Sequence, residues 1–194
     1  MRHTSYPVVG LCGYKGSGKD TVGAHLVKMY GFERRAFADK LKEAVAALFA
    51  IDPMDVDDFK NIETLRCGIF DPTRTDNQRS NHFTYRQFLQ RFGTEMGRNV
   101  FGPDFWVNLA MSTPMTRPTV FTDARFDNEL RAIKSIGGKI VWIERSGCES
   151  DGHASEQKPS DGMIDYTIYN NSDFIGLYAS MENMMSDLYG MELT

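Results

Sequence analysis

Residues 8–22 read VVGLCGYKGSGKDTV, and this stretch decides how the chain folds. Its first five residues are mostly apolar and predict a buried strand, and the amphipathic segment 20–30 predicts a helix. A glycine-rich turn joins them, and this order of strand, turn and helix is typical of a phosphate-binding loop. The alternative, a Gly-Ser hairpin turn followed by an unrelated helix, leaves the flanking strand and helix unexplained.

The residue types of the turn suit phosphate binding. Gly13, Gly16 and Gly18 let the backbone form a nest whose N–H groups point inward, beside the positive end of the new helix. Ser17 lies within this nest, and Lys19 adds a full positive charge against the outer phosphates. These residues are therefore predicted to bind the phosphates of a nucleotide.

The position after this lysine departs from the general pattern, which has Ser or Thr there. Asp20 occupies it and Thr21 follows, and mononucleotide kinases of the adenylate kinase type displace the hydroxyl by one place in the same way. The loop therefore looks more like that of a small-molecule kinase than that of a GTPase or a motor. Asp20 and Thr21 both carry oxygens that can bind Mg²⁺, and the sequence does not decide between them.

The composition limits the class of protein. The 194 residues, 41% of them hydrophobic, suit one domain with a core and an insertion or two. A net charge of -4 argues against an overall basic field for binding duplex nucleic acid. The three cysteines form no C-x-x-C pair, and no signal peptide or membrane-spanning run is evident. We therefore expect a soluble cytoplasmic protein.

The rest of the chain reads as alternating strands and helices. Further strands are predicted over residues 32–37, 119–122, 139–144 and 166–169, and helices are predicted to begin near residues 39, 84, 104, 127 and 173. The start at residue 84 is a capping box, Thr84-Tyr85-Arg86-Gln87. Residues 51–82 are the least regular part and end in a polar surface loop over 71–82. The alternation predicts an α/β fold that binds ligands at one edge of its sheet.

Several residues between the second and third predicted strands are candidates for substrate binding. Asp39 and Lys40 follow the second strand at the ligand edge, although a helix cap would also explain them. Arg86 lies in the first turn of a helix, where the dipole disfavours a cation, so an anionic partner is plausible; Arg91 lies one helical face away. Trp106 is most simply a core residue, with stacking on a base as the alternative.

The segment after the third strand carries the next candidates. Asp123 ends that strand and suits a magnesium contact or a proton acceptor. Arg125 suits bidentate binding of a phosphate. The structural alternative is that Asp127 caps the following helix and that Arg125 pairs with Glu129, whose role stays open.

Two further segments lie at the predicted ligand edge. Residues 146–162 are polar and glycine-rich, as in a closing lid, although an inert surface loop would read the same way. Asn170 and Asn171 suit a contact with adenine, although capping of the last helix would account for one of them.

Eight motifs occur in an order that resembles the deoxynucleoside monophosphate kinases of tailed bacteriophages. They are GYKGSGKDTV, FADKLKEAVA, YRQFLQRFGTEMGR, FGPDFW, FTDARFDNEL, GGKIVWIER, HASE and TIYNNSD. The resemblance runs nearly end to end and is weakest over residues 51–82. It implies a three-layer P-loop fold with about five parallel strands, helices on both faces, a helical NMP-binding insertion and a lid. The single domain would comprise a core over 8–50 and 119–194, a helical substrate-binding region over 51–112 and a lid over 146–162.

The same resemblance implies phosphorylation of a dNMP to a dNDP by ATP with Mg²⁺. Residues 13–21 would hold the ATP phosphates and the metal ion, and Lys15 would face the transferred group. The residues that would hold the acceptor monophosphate are Arg86, Arg91 and Arg125. Trp106 would lie against the nucleoside, and Arg145 with residues 153–156, including Glu156, would belong to the lid.

Other functions stay open at this point. A kinase resembling dephospho-coenzyme A kinase is the nearest alternative, and a nucleotide-binding switch without transfer chemistry is disfavoured because no Asn-Lys-x-Asp motif for guanine occurs. The accepted bases are not determined by the sequence, and a homodimer stays open. If the protein is encoded by a phage, its location would be the cytoplasm of the infected host cell.

Overall fold

The computed structural model describes residues 6–62, 65–70, 82–149 and 158–191. The chain forms two compact units, which we call the sheet unit (Met1–Phe37 with Met111–Thr194) and the helical unit (Ala38–Ala110). None of the helices in the described ranges combines the length and the apolar character needed to cross a lipid bilayer.

The elements follow one another along both units. The strands are β1 (Val8–Cys12), β2 (Glu33–Arg35), β3 (Arg66–Phe70), β4 (His82–Thr84), β5 (Thr119–Phe121), β6 (Lys139–Glu144) and β7 (Tyr166–Tyr169). The α-helices are α1 (Lys19–Tyr30), α2 (Asp39–Phe49), α3 (Asp55–Asn61), α4 (Tyr85–Arg91), α5 (Asn99–Phe101), α6 (Phe105–Ser112), α7 (Asp127–Ser135) and α8 (Phe174–Tyr189). A π-helix, Phe92–Arg98, joins α4 to α5, and a 3₁₀ turn spans Asp161–Met163.

The sheet unit contains a five-stranded sheet in the order β2-β5-β1-β6-β7, and every neighbouring pair in it is parallel. All five residues of β1 are buried, as expected for a central strand covered on both faces. Val9 and Leu11 pack with α1 and α8 on one face. Gly10 lies on the opposite face of the strand, where an added Cβ would lie 2.6 Å from Ile133 of α7. Helix α7 therefore covers that face of the sheet. The predicted three-layer α/β fold with a parallel sheet is confirmed.

The helical unit has its own apolar core. Val45 and Ala46 of α2 pack with Val56 of α3 and Leu89 of α4. This packing groups residues 38–50 with the helical unit, whereas the sequence analysis assigned them to the core around the sheet. The physical reason is that the buried stripe of α2 meets its partners in the helical unit.

Regular elements lie inside the segment that the sequence analysis predicted to be the least regular part of the chain. Helix α3 and strand β3 fall within residues 51–82, and strand β4 begins at His82. Apolar contacts among Cys67, Phe83 and Tyr85 hold the strand pair against α4. The predicted loop over 71–82, except for His82, lies outside the described residues.

Helix α4 begins at the predicted capping box. The backbone N–H of Gln87 donates to Thr84 Oγ1 (3.1 Å), and the backbone N–H of Thr84 donates to Gln87 Oε1 (2.9 Å). The helix then continues as the π-helix, which the sequence analysis did not predict. Gly97 lies in it against the indole of Trp106, where an added Cβ would overlap the ring. The absence of a side chain at Gly97 permits this close packing.

Candidate active site

The predicted phosphate loop lies between the end of β1 and the start of α1. Gly18 is the N-cap of α1 with φ 106°, a conformation that favours glycine, and an added Cβ would lie 2.5 Å from Asn170 Nδ2. Gly13 has φ 149°, and a Cβ there would lie 2.6 Å from the carbonyl oxygen of Ile143. Both glycines are therefore required by the backbone and by the neighbours of the loop.

Side chains hold four carbonyl groups of this loop. Lys19 Nζ donates to the carbonyl oxygens of Gly13 (2.6 Å) and Tyr14 (2.7 Å). Asn170 Nδ2 donates to that of Ser17 (2.8 Å), and Arg145 Nη1 donates to that of Gly16 (3.3 Å). These bonds fix the peptide planes of the turn.

The remaining loop residues differ in their exposure. The side chain of Ser17 is buried, and its hydroxyl oxygen has no hydrogen-bond partner among the described residues. Lys15 is exposed, as is Asp20 in the first turn of α1, whereas Thr21 is half-buried. A buried hydroxyl without a partner is costly, and a polar ligand in the loop would offset that cost.

Four charged side chains surround the thiol of Cys12, the last residue of β1. The pKa of this thiol is raised to about 12, mainly by burial; the negative charges of Glu129 and Asp123 add to the rise, and the positive charges of Lys19 and Arg125 oppose it. Three of these residues follow β5, which runs parallel beside β1, and Lys19 begins α1, so the four predicted site residues lie toward the C-terminal end of β1. This is the edge at which open α/β sheets bind ligands.

The acidic members of this group also hold the backbone. Asp123 Oδ1 accepts a hydrogen bond from the N–H of Phe37 (2.8 Å). Glu129 is 3% exposed, and its Oε2 accepts from the N–H groups of Arg125 (2.8 Å) and Phe126 (3.1 Å), which completes the N-terminus of α7. The alternative in which Asp127 caps α7 is wrong, because the N-cap is Phe126.

The helical unit contains an aromatic cavity of about 530 Å³. Trp106 lines it, is 6% exposed and donates its indole N–H to the carbonyl oxygen of Gly93 (2.8 Å). Lys40 and Glu43 also line it and form an ion pair (Nζ to Oε2, 2.7 Å). The other side chains of the lining are Ala44, Phe92, Met96, Phe101, Phe105 and Leu109, with Gly97 beside them.

A sequence model described as deoxynucleotide monophosphate kinase matches residues 47–181. The chain belongs to the deoxynucleotide monophosphate kinase family. It is 30% identical over 190 residues to an Acanthamoeba polyphaga mimivirus protein with the provisional name deoxynucleotide monophosphate kinase, covering 90% of this chain and 93% of that protein. It is 27% identical over 135 residues to the deoxynucleotide monophosphate kinase of Escherichia phage RB69, covering 66% of this chain and 52% of that protein.

A crystal structure of shikimate kinase from Bacteroides thetaiotaomicron resembles this kinase only distantly. The TM-score is 0.39 at 11% sequence identity, over 94% of this chain and 98% of that chain. The fold assignment therefore depends on the sheet topology and the phosphate loop described above. Family and fold together make the chain a P-loop kinase that acts on small molecules, as the sequence analysis predicted.

The other predicted residues of this kinase are engaged within the helical unit. Arg86 Nη2 donates to Asn61 Oδ1 (3.1 Å). Arg91 pairs with Glu95 (Nε to Oε1, 3.5 Å) and lies over the ring of Phe83. Both arginines lie outside the lining of the aromatic cavity, so the described residues do not group them with Trp106.

Two predictions have less structural context. Asp39 is the first residue of α2 and is half-buried, and its role as a substrate ligand stays a prediction. Glu156 and residues 150–157 of the predicted lid lie outside the described residues.

The sequence analysis missed most of the aromatic cavity. Phe92, Phe101 and Phe105 were not assigned to a site, although two of them lie within the motif FGPDFW. The clustering of aromatic residues near Trp106 was the available signal. It was not decisive, because aromatic residues at helical spacing more often form a core.

Proposed function

We propose that this kinase transfers the γ-phosphate of ATP to a deoxynucleoside monophosphate and forms the diphosphate, in the nucleotide metabolism of a bacteriophage. The observation that carries the proposal is the phosphate loop, where Lys19 donates to two loop carbonyls after the end of β1. Asp123 and Arg125 follow β5, which runs parallel beside β1. Membership of the deoxynucleotide monophosphate kinase family supports the choice of acceptor.

Binding of ATP would use groups that the loop already holds in position. Lys19 would exchange its bonds with the carbonyls of Gly13 and Tyr14 for bonds with phosphate oxygens, and the hydroxyl of Ser17 would gain a partner. Lys15, exposed on the loop, would face the transferred group. Positioned cations stabilise the charge that spreads over the equatorial oxygens in the transition state, and this effect supplies most of the rate.

The residues near the loop fit a magnesium ion. Mg²⁺ keeps several waters and is bound by one or two oxygen ligands together with substrate phosphates. Asp20 and Thr21 in the first turn of α1 offer a carboxylate and a hydroxyl, and Asp123 is a further carboxylate at the same sheet edge. When bound, the ion would neutralise charge on the transferring phosphates.

The acceptor needs little help from a base. A monophosphate is already ionised at neutral pH, so Asp123 would organise the metal ion or the substrate and would not remove a proton. Arg125, exposed after β5, would hold a phosphate oxygen pair, and the exposed Arg145 beside Gly16 would screen charge near the loop. Glu129 would act mainly by holding the backbone of Arg125.

The aromatic cavity of the helical unit would accommodate the deoxynucleoside. Its volume lies in the range of small-molecule sites, and aromatic side chains such as Trp106 and Phe101 offer flat surfaces to a base. Lys40 and Glu43 would present a donor and an acceptor to the edge of the base. Arg86 and Arg91 stay predictions as phosphate ligands, since breaking their exposed contacts costs little.

The test is an ATP-coupled assay with each dNMP, including hydroxymethylated pyrimidines, and with dephospho-coenzyme A as the rival acceptor. ADP and a dNDP should form in equal amounts and only when a dNMP is present. ATP consumption without an acceptor, or transfer to dephospho-coenzyme A alone, would contradict the proposal.

A pair of variants tests the cavity. Phe101 lines it and is 61% exposed, whereas its neighbour Val100 is 68% exposed and does not line it. Phe101→Ala should raise the KM for the dNMP about tenfold, as expected for loss of one stacking surface, and leave the KM for ATP unchanged. Val100→Ala is the matched control and should change neither. Equal effects of the two substitutions would exclude the cavity as the nucleoside site.

A further inference from the structure

Trp142 is a buried aromatic residue in contact with the phosphate loop, and it has no role in the chemistry described above. It lies on β6, opposite Cys12 of β1 in the register of the sheet, and is 2% exposed. The ring of Tyr14, in the phosphate loop, packs edge-on against it with 5.1 Å between centroids and 89° between the planes. A buried residue of the sheet thus contacts the loop that holds Lys19.

This contact reaches the catalytic lysine through the backbone of Tyr14. The carbonyl oxygen of Tyr14 accepts hydrogen bonds from Lys19 Nζ (2.7 Å) and from the N–H of Ser17 (3.1 Å). Because the ring and the carbonyl group belong to one residue, a shift of the ring away from Trp142 moves an acceptor of Lys19. The position of the indole is therefore linked to that of the ammonium group.

The other side of Trp142 is held by two charged side chains. Its indole N–H donates to Glu144 Oε2 (3.3 Å), and Lys158 Nζ donates to the same oxygen (3.3 Å). Lys158 Nζ also lies 5.4 Å from the centroid of the indole ring, within the range of a cation–π contact. We call Trp142, Glu144 and Lys158 the indole clasp.

The clasp joins parts of the sequence that are far apart. Glu144 ends β6, and Lys158 lies within the segment 146–162 that the sequence analysis predicted to be a lid. Lys158 is exposed, and exposed ion pairs and cation–π contacts are individually weak. The effect of Lys158 on the loop should therefore be small, and it is transmitted by the packing of the buried Trp142 against Tyr14.

We propose that Trp142 is a positioning residue for the phosphate loop, and that Lys158 and Glu144 hold its indole in place through the indole clasp. The inference rests on the proposed function in one respect, that the loop binds ATP. It adds that nucleotide affinity depends on two residues that do not contact the nucleotide. The clasp holds the indole, the indole packs against the ring of Tyr14, and the carbonyl oxygen of Tyr14 accepts from Lys19.

The experiment measures binding of a nonhydrolysable ATP analogue with Mg²⁺ by calorimetry, without any acceptor. Lys158→Met should weaken the affinity about threefold, and Lys158→Arg, which keeps the cation, should stay within about twofold of the original protein. Lys139→Met is the matched control and should change nothing, because Lys139 begins β6 and faces Asp165. An effect of Lys158→Met no larger than that of Lys139→Met would overturn the role of Lys158.

A double-mutant cycle tests the link through Tyr14. Tyr14→Leu, Trp142→Leu and the double variant should show a coupling of about threefold or more in nucleotide affinity. Strictly additive effects of the two substitutions on nucleotide affinity would overturn the role of Trp142. If Trp142→Leu does not fold, Trp142→Phe takes its place in the same cycle.

Fluorescence gives a reading that a purely structural role would not change. The chain has two tryptophans, so Trp106→Phe leaves Trp142 as the sole emitter. Binding of the analogue should change its emission, and Lys158→Met should reduce that change. An emission that is constant throughout saturation would overturn the inference. If the original protein does not bind the analogue at all, the proposed function fails, whereas normal binding with unaffected variants refutes only the inference.

Discussion

Replacing Gly18 by alanine tests how tightly the phosphate loop is built. Gly18 and Gly31 cap the two ends of α1 in left-handed conformations, with φ 106° and 68°. An added Cβ at Gly31 meets nothing within 4 Å, whereas one at Gly18 would lie 2.5 Å from Asn170 Nδ2. Gly31→Ala is therefore a matched control that carries the backbone strain without the clash.

The expected magnitudes follow from these contacts. A left-handed alanine costs about 1–2 kcal/mol, and overpacking adds about 1–3 kcal/mol. Asn170 must also release the carbonyl of Ser17, a buried hydrogen bond worth about 1 kcal/mol. Gly31→Ala should therefore cost about 1–2 kcal/mol in unfolding free energy, and Gly18→Ala about 3–6 kcal/mol. At about 2–4 °C per kcal/mol, Tm should fall by about 2–8 °C and about 6–24 °C respectively.

Thermal unfolding followed by circular dichroism measures the loss of stability. Calorimetric titration with an ATP analogue measures the change in nucleotide affinity. Gly31→Ala should leave nucleotide affinity within about twofold, whereas Gly18→Ala should weaken it about tenfold or more, since it displaces the loop that binds phosphate. Adding Asn170→Ala to Gly18→Ala should restore part of the lost stability, because it removes the clashing amide. Equal Tm values for Gly18→Ala and Gly31→Ala would refute the reasoning.

Three other substitutions have clear expected outcomes. Lys19→Met should lower steady-state turnover about 10²-fold or more through loss of a charged transition-state contact, and near-normal turnover would remove its central role. Gly97→Ala should cost about 1–3 kcal/mol in urea unfolding, because its Cβ overlaps Trp106, while Gly162→Ala, which meets nothing within 4 Å, should be neutral. Burial lowers the pKa of His25 below its usual 6.5, although the charge of Glu182 opposes this shift. The folded state therefore favours neutral His25, whose contribution to stability is present above about pH 6.5 and is lost as the pH falls through the lowered pKa. His25→Phe should remove this loss, so the free energy of unfolding, measured with urea, should fall less steeply on the acid side.

Short elements with little periodicity were the hardest part of the fold to predict. Helix α3 has only seven residues, and its buried residue Val56 is held by α2 and α4. The β3–β4 pair depends on contacts of Cys67 with Phe83 and Tyr85. The π-helix, which the sequence analysis did not predict, allows Leu41 and Trp106 to pack against Gly93 and Gly97. Tertiary contacts stabilise each of these elements, and no local sequence pattern predicts those contacts.

In the candidate site, too, local sequence patterns identified residues whose roles depend on contacts with distant parts of the chain. The sequence identified Glu129, Asn170 and Trp106, but could not separate a structural role from a binding role. That distinction depends on which groups their polar atoms meet. In the structure, Glu129 holds backbone N–H groups, Asn170 holds Ser17, and Trp106 both donates to Gly93 and lines a cavity.

The sequence alone determined the phosphate loop, because a strand, a glycine nest and a helix start within residues 8–22 are properties of neighbouring residues. The α/β class and the kinase family followed from the order of elements and motifs along the chain. Only the tertiary structure decided which distant side chains hold that loop. Asn170 and Arg145 are separated from their partners Ser17 and Gly16 by 153 and 129 positions. They reach the loop because β6 lies beside β1 and β7 beside β6. Pairing between strands so far apart arises from the packing of the whole sheet, which no local spacing encodes.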